Sequence, residues 1–270
     1  MAIGLNDVGP VTALLSPERL AALSALTGSP HTAILFHQET LKLGSMLMNV
    51  IASIEISVRN SVATNLAQHF AVPDWLSRPP VGFAWRPTES EKIKQALSSA
   101  RRAEYSKLTQ TEKANLDILA WPRGRPGNLT HSQRSRTRQK QISVSEGKII
   151  AELTMYFWKR VFSPEYEHTL WKPSLRRIFP DKRVTRSQVA IHLENIYQAR
   201  NRLAHHEPVL HGRFSDAITG ISYISEHIGA YPPSNQTPLA KLLSEDLDHV
   251  VRTADDIHRR LQAFRVTTTS

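Results

Sequence analysis

An all-α fold is predicted for this 270-residue chain by three features. Apolar residues recur at spacings of three and four over long stretches, the period of a helix face. Serine or threonine caps, several with Glu or Gln three residues on, stand ahead of those stretches. Nowhere do alternating apolar and polar runs meet at Asn-Gly or Asp-Gly, as a hairpin would require. With 40% hydrophobic residues the chain can bury a real core, and it carries no solenoid-type repeat. A single all-α domain over residues 1–270 is therefore expected.

Ser16-Pro17 reads as an N-cap followed by proline at the first helical position, opening a short helix that Gly28 ends. A long helix is predicted from about His31 to Phe70, where Leu43, Leu47, Val50, Ile51, Ile54, Val58, Val62 and Leu66 form one apolar stripe. Residues 71–87 hold four prolines and lead into Thr88-Glu89-Ser90-Glu91, a capping box for a polar helix to about Leu108. Residues 121–142 are different: Arg123, Arg125, Arg134, Arg136, Arg138 and Lys140 occur without an acidic residue among them, the texture of a mobile basic loop. Ser143 to Glu146 forms another capping box ahead of a helix apolar on several faces, whose Tyr156, Phe157 and Trp158 read as core. Thr185 with Gln188, and Val184 facing Val189 as a staple, start the best-signalled helix of all. C-terminal helices are expected over 213–265, the last beginning at Thr237-Pro238 with a seam through Leu243, Leu247, Val250, Ala254, Ile257, Leu261 and Phe264.

The chain has no cysteine, which excludes disulfides, iron–sulfur clusters and thiol nucleophiles. The start, MAIGLNDVGP, has no basic region followed by an apolar one, and no 18-residue uninterrupted apolar run occurs. A cytoplasmic protein without membrane attachment is the expectation. A formal charge of +10 makes a polyanion the favoured large partner, because phosphates meeting a basic surface release counterions.

The stretch ARNRLAHHEPV, residues 199–209, carries more functional chemistry than a helix end requires. At about 100° per residue, Val189, Leu193, Ile196 and Leu203 define a buried face with Arg200 in its middle. Asn201 and His205, four apart, share a neighbouring face. A guanidinium on an apolar stripe needs a partner or water. The long N-terminal helix offers a candidate in IEISVRN: Glu55 lies inside its stripe with Arg59 at the margin, so Glu55 is expected to orient Arg200. The plainer alternatives are a cationic last turn facing the macrodipole and an intrahelical Glu55–Arg59 pair. A zinc site on His205, His206 and Glu207 is disfavoured, since consecutive helical residues diverge and no His-Glu-x-x-His spacing occurs. No metal or other cofactor is expected.

YQARNRLAHHEPV resembles the signature of the Abi-like (abortive infection) proteins of the HEPN superfamily: an arginine, often with a polar residue after it, then four to six residues and a histidine. Arg200, Asn201 and His205 match it, and His206 fits the next spacing. IASIEISVRNSVATNL is similar to the family's N-terminal helix, with Glu55, Arg59 and Asn60 as its Glu and Arg-Asn pair. IIAELTMYFWKRVFS followed by LWKPSLRRIFP resembles the segment ahead of the hallmark, so the likeness spans about 30–212. It implies a HEPN-like helical bundle with extra C-terminal helices. It further implies a metal-independent endoribonuclease acting as a homodimer in antiphage defence or as a toxin, with an antitoxin as a further partner in some settings. Arg200, Asn201 and His205 would be catalytic, supported by Glu55, Arg59, Asn60 and His206. The six cations of the basic loop are the candidate RNA contacts, against the alternative of a solvated insert. A catalytically inactive RNA- or nucleotide-binding module is the competing function.

Overall fold

The computed structural model describes residues 3–267, with side chains from 3 to 264, and among these there are helices and no strand. The α-helices are α1 (Val8–Leu15), α2 (Pro17–Thr27), α3 (Pro30–Phe70), α4 (Pro87–Lys107), α5 (Gln110–Ala120), α6 (His131–Lys140), α7 (Glu146–Glu152), α8 (Met155–Arg160), α9 (Arg186–Ala204), α10 (His211–His227) and α11 (Pro238–Thr267). The all-α class is as the sequence predicts. The chain packs as two compact units, residues 1–57 with 179–270, and residues 58–178. All five tryptophans lie within 58–178, while the buried residues of the other unit are largely aliphatic.

In the first unit α3 contributes Leu43, Leu47, Val50, Ile51 and Ile54 to the core, all buried as their spacing requires. Each such side chain contributes about 1.5–3 kcal/mol when fully buried. α9 adds Val189, Leu193, Ile196, Ala199 and Leu203; α10 adds Ala217, Ile221 and Ile224. Gly220 lets these two helices close up, because a Cβ there would stand 2.9 Å from the His192 carbonyl oxygen. The predicted seam of α11 is buried at Leu243, Val250, Ala254, Ile257 and Leu261, and Thr237 caps the helix by accepting from the Ala240 amide at 3.0 Å. Asn49 donates to Asp246 at 3.2 Å, Arg260 pairs with Glu39, and Phe264 meets Phe36 edge-on.

The second unit packs around rings. Phe70, Trp75, Phe83, Trp85, Phe157 and Tyr166 form a continuous set of contacts with centroids 4.9–6.4 Å apart. The proline-rich stretch after α3 is held on them by its backbone: Trp85 Nε1 donates to the Leu76 carbonyl at 3.0 Å, and the Arg86 amide donates to the Tyr166 hydroxyl at 3.0 Å. Glu89 is buried among them and accepts from Arg160 Nε at 2.8 Å and the Tyr166 hydroxyl at 2.7 Å. Burial, and this hydrogen bond to a carboxylate, push the Tyr166 hydroxyl well above its usual range. Phe157 and Trp158 are core as expected, while Tyr156 lies under the ammonium groups of Lys92 and Lys159.

Three local expectations change. α4 starts two residues early, with Arg86 at the N-cap, no side-chain cap, and Pro87 at the first position, where its missing amide leaves no donor unpaired. The helix expected after Ser143 is broken at Leu153 and Thr154, which are extended; the Leu153 carbonyl turns to accept from Trp158 Nε1 at 3.2 Å. The Glu146 carboxylate, expected in a capping box there, instead accepts from the Leu76 amide at 2.7 Å. The third change is α6, within the segment expected to be a loop. α3 is long and apolar enough to cross a membrane by length and composition, with mean hydropathy 1.4 over its best window. Its apolar stripe is buried in the cores of the two units.

Candidate active site

α9 is set by the capping box its sequence announces: the Thr185 hydroxyl accepts from the Gln188 amide at 3.2 Å and Gln188 Oε1 accepts from the Thr185 amide at 2.9 Å. Nineteen residues on, the helix ends at the candidate motif, with His205 as C-cap. Its amide still bonds to the Asn201 and Arg202 carbonyls, and the chain then reverses through His206 at φ +57°. That left-handed position is costly for a non-glycine residue, and external ties hold it. Arg19 of α2 donates through Nη1 to the His206 carbonyl at 2.9 Å. The Glu207 amide bonds back to the Arg202 carbonyl at 2.9 Å, and the two side chains pair at 3.0 Å.

This turn presents Arg200 and Asn201 half-buried and His205 exposed. None of the three side chains has a hydrogen bond or ion pair with any described residue, and no nitrogen of Arg200 is buried without a partner, so its guanidinium reaches solvent. Val189, Leu193, Ile196 and Leu203 are all buried and Ala199 widens their face on one flank, so Arg200 still lies within it by angle; it is only half-buried because its long stem carries the charge out to water. The Glu55–Arg200 pair expected from the sequence is not made: neither residue has a charged partner among the described residues. With water available to both half-buried groups, no internal partner is needed. In the other unit Arg59 Nε donates to Asn60 Oδ1 at 3.4 Å.

A hollow of about 530 Å³ adjoins the motif within the first unit, between α3 and the turn after α9. Leu203, His206 and Pro208 line one side, and Thr40, Gly44 and Met48 of α3 the other. Arg200, Asn201 and His205 do not line it. Gly44 shapes it by close approach, since a Cβ there would lie 3.0 Å from Leu203 Cδ2. Sequence reasoning missed Gly44 and Arg19. The signal for the first was a lone glycine inside a strongly helical pattern. Arg19 had none, since its partner is a backbone carbonyl 187 residues away.

The basic segment resolves into two kinds of residue. Thr130 and Gln133 make a full capping box and start α6. Asp117 of α5 then accepts from Arg138 Nε at 2.5 Å and Nη2 at 2.8 Å, from Arg134 Nη2 at 2.5 Å and from Arg125 Nη1 at 3.4 Å. Arg138 is buried and also reaches the Tyr105 hydroxyl at 3.4 Å. Hydrogen bonds from Arg138, then Arg134, hold the Asp117 carboxyl well below the usual carboxylate range. The expectation of a mobile loop is thus corrected for 131–140, and three of its six cations are structural. Arg123, Arg136 and Lys140 are exposed and have no partner among the described residues.

No group of three or more His, Asp or Glu residues arranged to hold a metal ion occurs among the described residues. No protein-family model, no curated protein and no solved structure matches the chain.

Proposed function

We propose that this protein is a metal-independent endoribonuclease of the Abi-like, HEPN type, with Arg200, Asn201 and His205 at its active centre. One observation carries the reading: a guanidinium, an amide and an imidazole sit on consecutive turns of one helix end, open to solvent and with no internal partner. Polar groups left free in this way are available to a ligand. The resemblance of residues 30–212 to that family and the net charge of +10 support the same reading.

RNA carries its own nucleophile. His205 as general base takes the 2′-hydroxyl proton, the oxygen attacks the adjacent phosphorus, and the 5′-oxygen leaves with a proton from an acid. Arg200 neutralises the crowded phosphorane, and Asn201, on the same face as His205, orients the phosphate or the ring. Products are a 2′,3′-cyclic phosphate and a 5′-hydroxyl. One chain supplies a single His205, so the proposal includes a homodimer in which a second copy provides the other proton-transfer group. It also places the protein in the cytoplasm in antiphage defence.

The test is incubation of purified protein with total RNA in EDTA, wild type beside Arg200→Ala and His205→Ala, with the product ends analysed. Cleavage giving cyclic phosphates, lost about 10²–10⁴-fold in each variant, is expected. Undiminished cleavage by His205→Ala would falsify the scheme. RNA binding with no cleavage by the wild type would favour the alternative of an inactive RNA- or nucleotide-binding module.

A further inference from the structure

The second unit carries a basic groove that the motif on α9 does not explain. It lies between α4 and α6, encloses about 470 Å³, and is lined by Lys94, Arg101 and Arg102 from α4 and Arg136 and Lys140 from α6. No carboxylate lines it. We propose that this groove binds the phosphodiester backbone of single-stranded RNA. That the strand is RNA rests on the nuclease reading; that the groove takes a phosphate polymer does not.

Helical periodicity creates the groove. Arg134 and Arg138, four apart, turn inward to Asp117, whereas Arg136 and Lys140, about 200° further round, face outward. A basic run that reads as uniform in sequence is thereby sorted into a structural face and a free one. The nearby acids are engaged elsewhere. Glu91 accepts from Gln95 at 3.1 Å, and Glu104 takes Lys107 at 2.8 Å and Lys148 at 2.9 Å. Arg101 is fixed by donating through Nε to the Ile142 carbonyl at 3.1 Å. Lys94, Arg102, Arg136 and Lys140 are exposed and have no hydrogen bond or ion pair among the described residues.

Five cations along about 12 Å of α4 and the facing turn of α6 exceed what one phosphate group can neutralise, so a polymer fits better than a mononucleotide. Gln139 and Ser98 add neutral donors or acceptors for sugar and phosphate oxygens. The single apolar liner, Leu97, is half-buried and offers nothing to insert into a bilayer. A concave polar trough therefore favours a strand over an anionic membrane surface.

The experiment measures anisotropy of a labelled single-stranded oligouridylate with 2′-O-methyl groups, which cannot be cleaved, across a salt series. Wild type is compared with Lys94→Gln/Arg102→Gln/Arg136→Gln/Lys140→Gln. A second set, Lys42→Gln/Arg213→Gln/Lys241→Gln/Arg252→Gln, removes equal charge from exposed positions of the other unit. The groove variant should melt like wild type and lose at least tenfold in affinity. Its plot of log affinity against log salt should be shallower by about 2.8, four phosphates at 0.7 each. His205→Ala should bind like wild type, so loss of cleavage without loss of binding separates the two proposals. Equal losses in both charge sets, no loss in the groove variant, or groove-dependent binding to phosphatidylserine vesicles in place of the oligonucleotide would each overturn the inference.

Discussion

Replacing Asp117 by Asn tests how the basic segment is held. The substitution keeps size and one acceptor but removes the charge that Arg138, Arg134 and Arg125 share. Arg138 is only 8% exposed, and its remaining contact is the Tyr105 hydroxyl at 3.4 Å. Breaking a buried ion pair from one side costs about 3–5 kcal/mol. The Asp117 side chain is 19% exposed and that of Arg134 33%, so water relieves part of this. About 3 kcal/mol is expected, which lowers the melting midpoint of the affected unit by roughly 6–12 °C in a chain of this size. Circular dichroism on heating and in guanidinium reads it out. Asp117→Asn/Arg138→Met should recover much of the loss, since neither charge is then stranded. Acid adds a check on sign. The Asp117 carboxyl is depressed in the folded state, so its contribution is complete above the unfolded value of about 4 and fades as pH falls below it. Asp117→Asn should lack that part of the acid sensitivity. A loss under 1 kcal/mol, or a double variant as unstable as the two single effects summed, refutes the reasoning.

Gly220→Ala would press a methyl group against the His192 carbonyl and Ile196 Cγ1, so a loss of about 1–3 kcal/mol is expected by chemical denaturation; a neutral result would mean that α9 and α10 separate freely. His37, His192 and His258 are each held below the usual imidazole range by burial, helped in turn by Arg19, His227 and His211. In each case the unfolded chain takes up its proton first, so stability should be level above about pH 7 and fall as pH drops through about 6.5. His192→Gln should flatten that fall in midpoint-against-pH measurements, and an unchanged slope would remove His192 from the account.

The long apolar stripe of α3, the cap of α9 and the seam of α11 were legible because each depends on residues a few positions apart. The same capping-box logic was available at Thr130 and Gln133 and was masked by the arginines around it. What could not be read were pairings across long separations. Glu89 turns to Arg160 and Tyr166, more than 70 residues away, so a residue that reads as part of a helix cap is a buried acceptor. Glu55, by contrast, reads as a buried partner for Arg200 and is half-buried without one.

The sequence by itself determined that this chain is helical, where α2, α3, α9 and α11 begin, and that Arg200, Asn201 and His205 share one helix end. Those properties follow from local hydrogen bonding and the 3.6-residue period. Only the tertiary structure decided that two cores form, that Asp117 draws half of the basic cluster inward, and that Arg136 and Lys140 open onto a groove with Lys94 and Arg102. The physical reason is that a charge is satisfied by whichever opposite charge or water the packed chain brings near, and distance along the sequence does not set that choice.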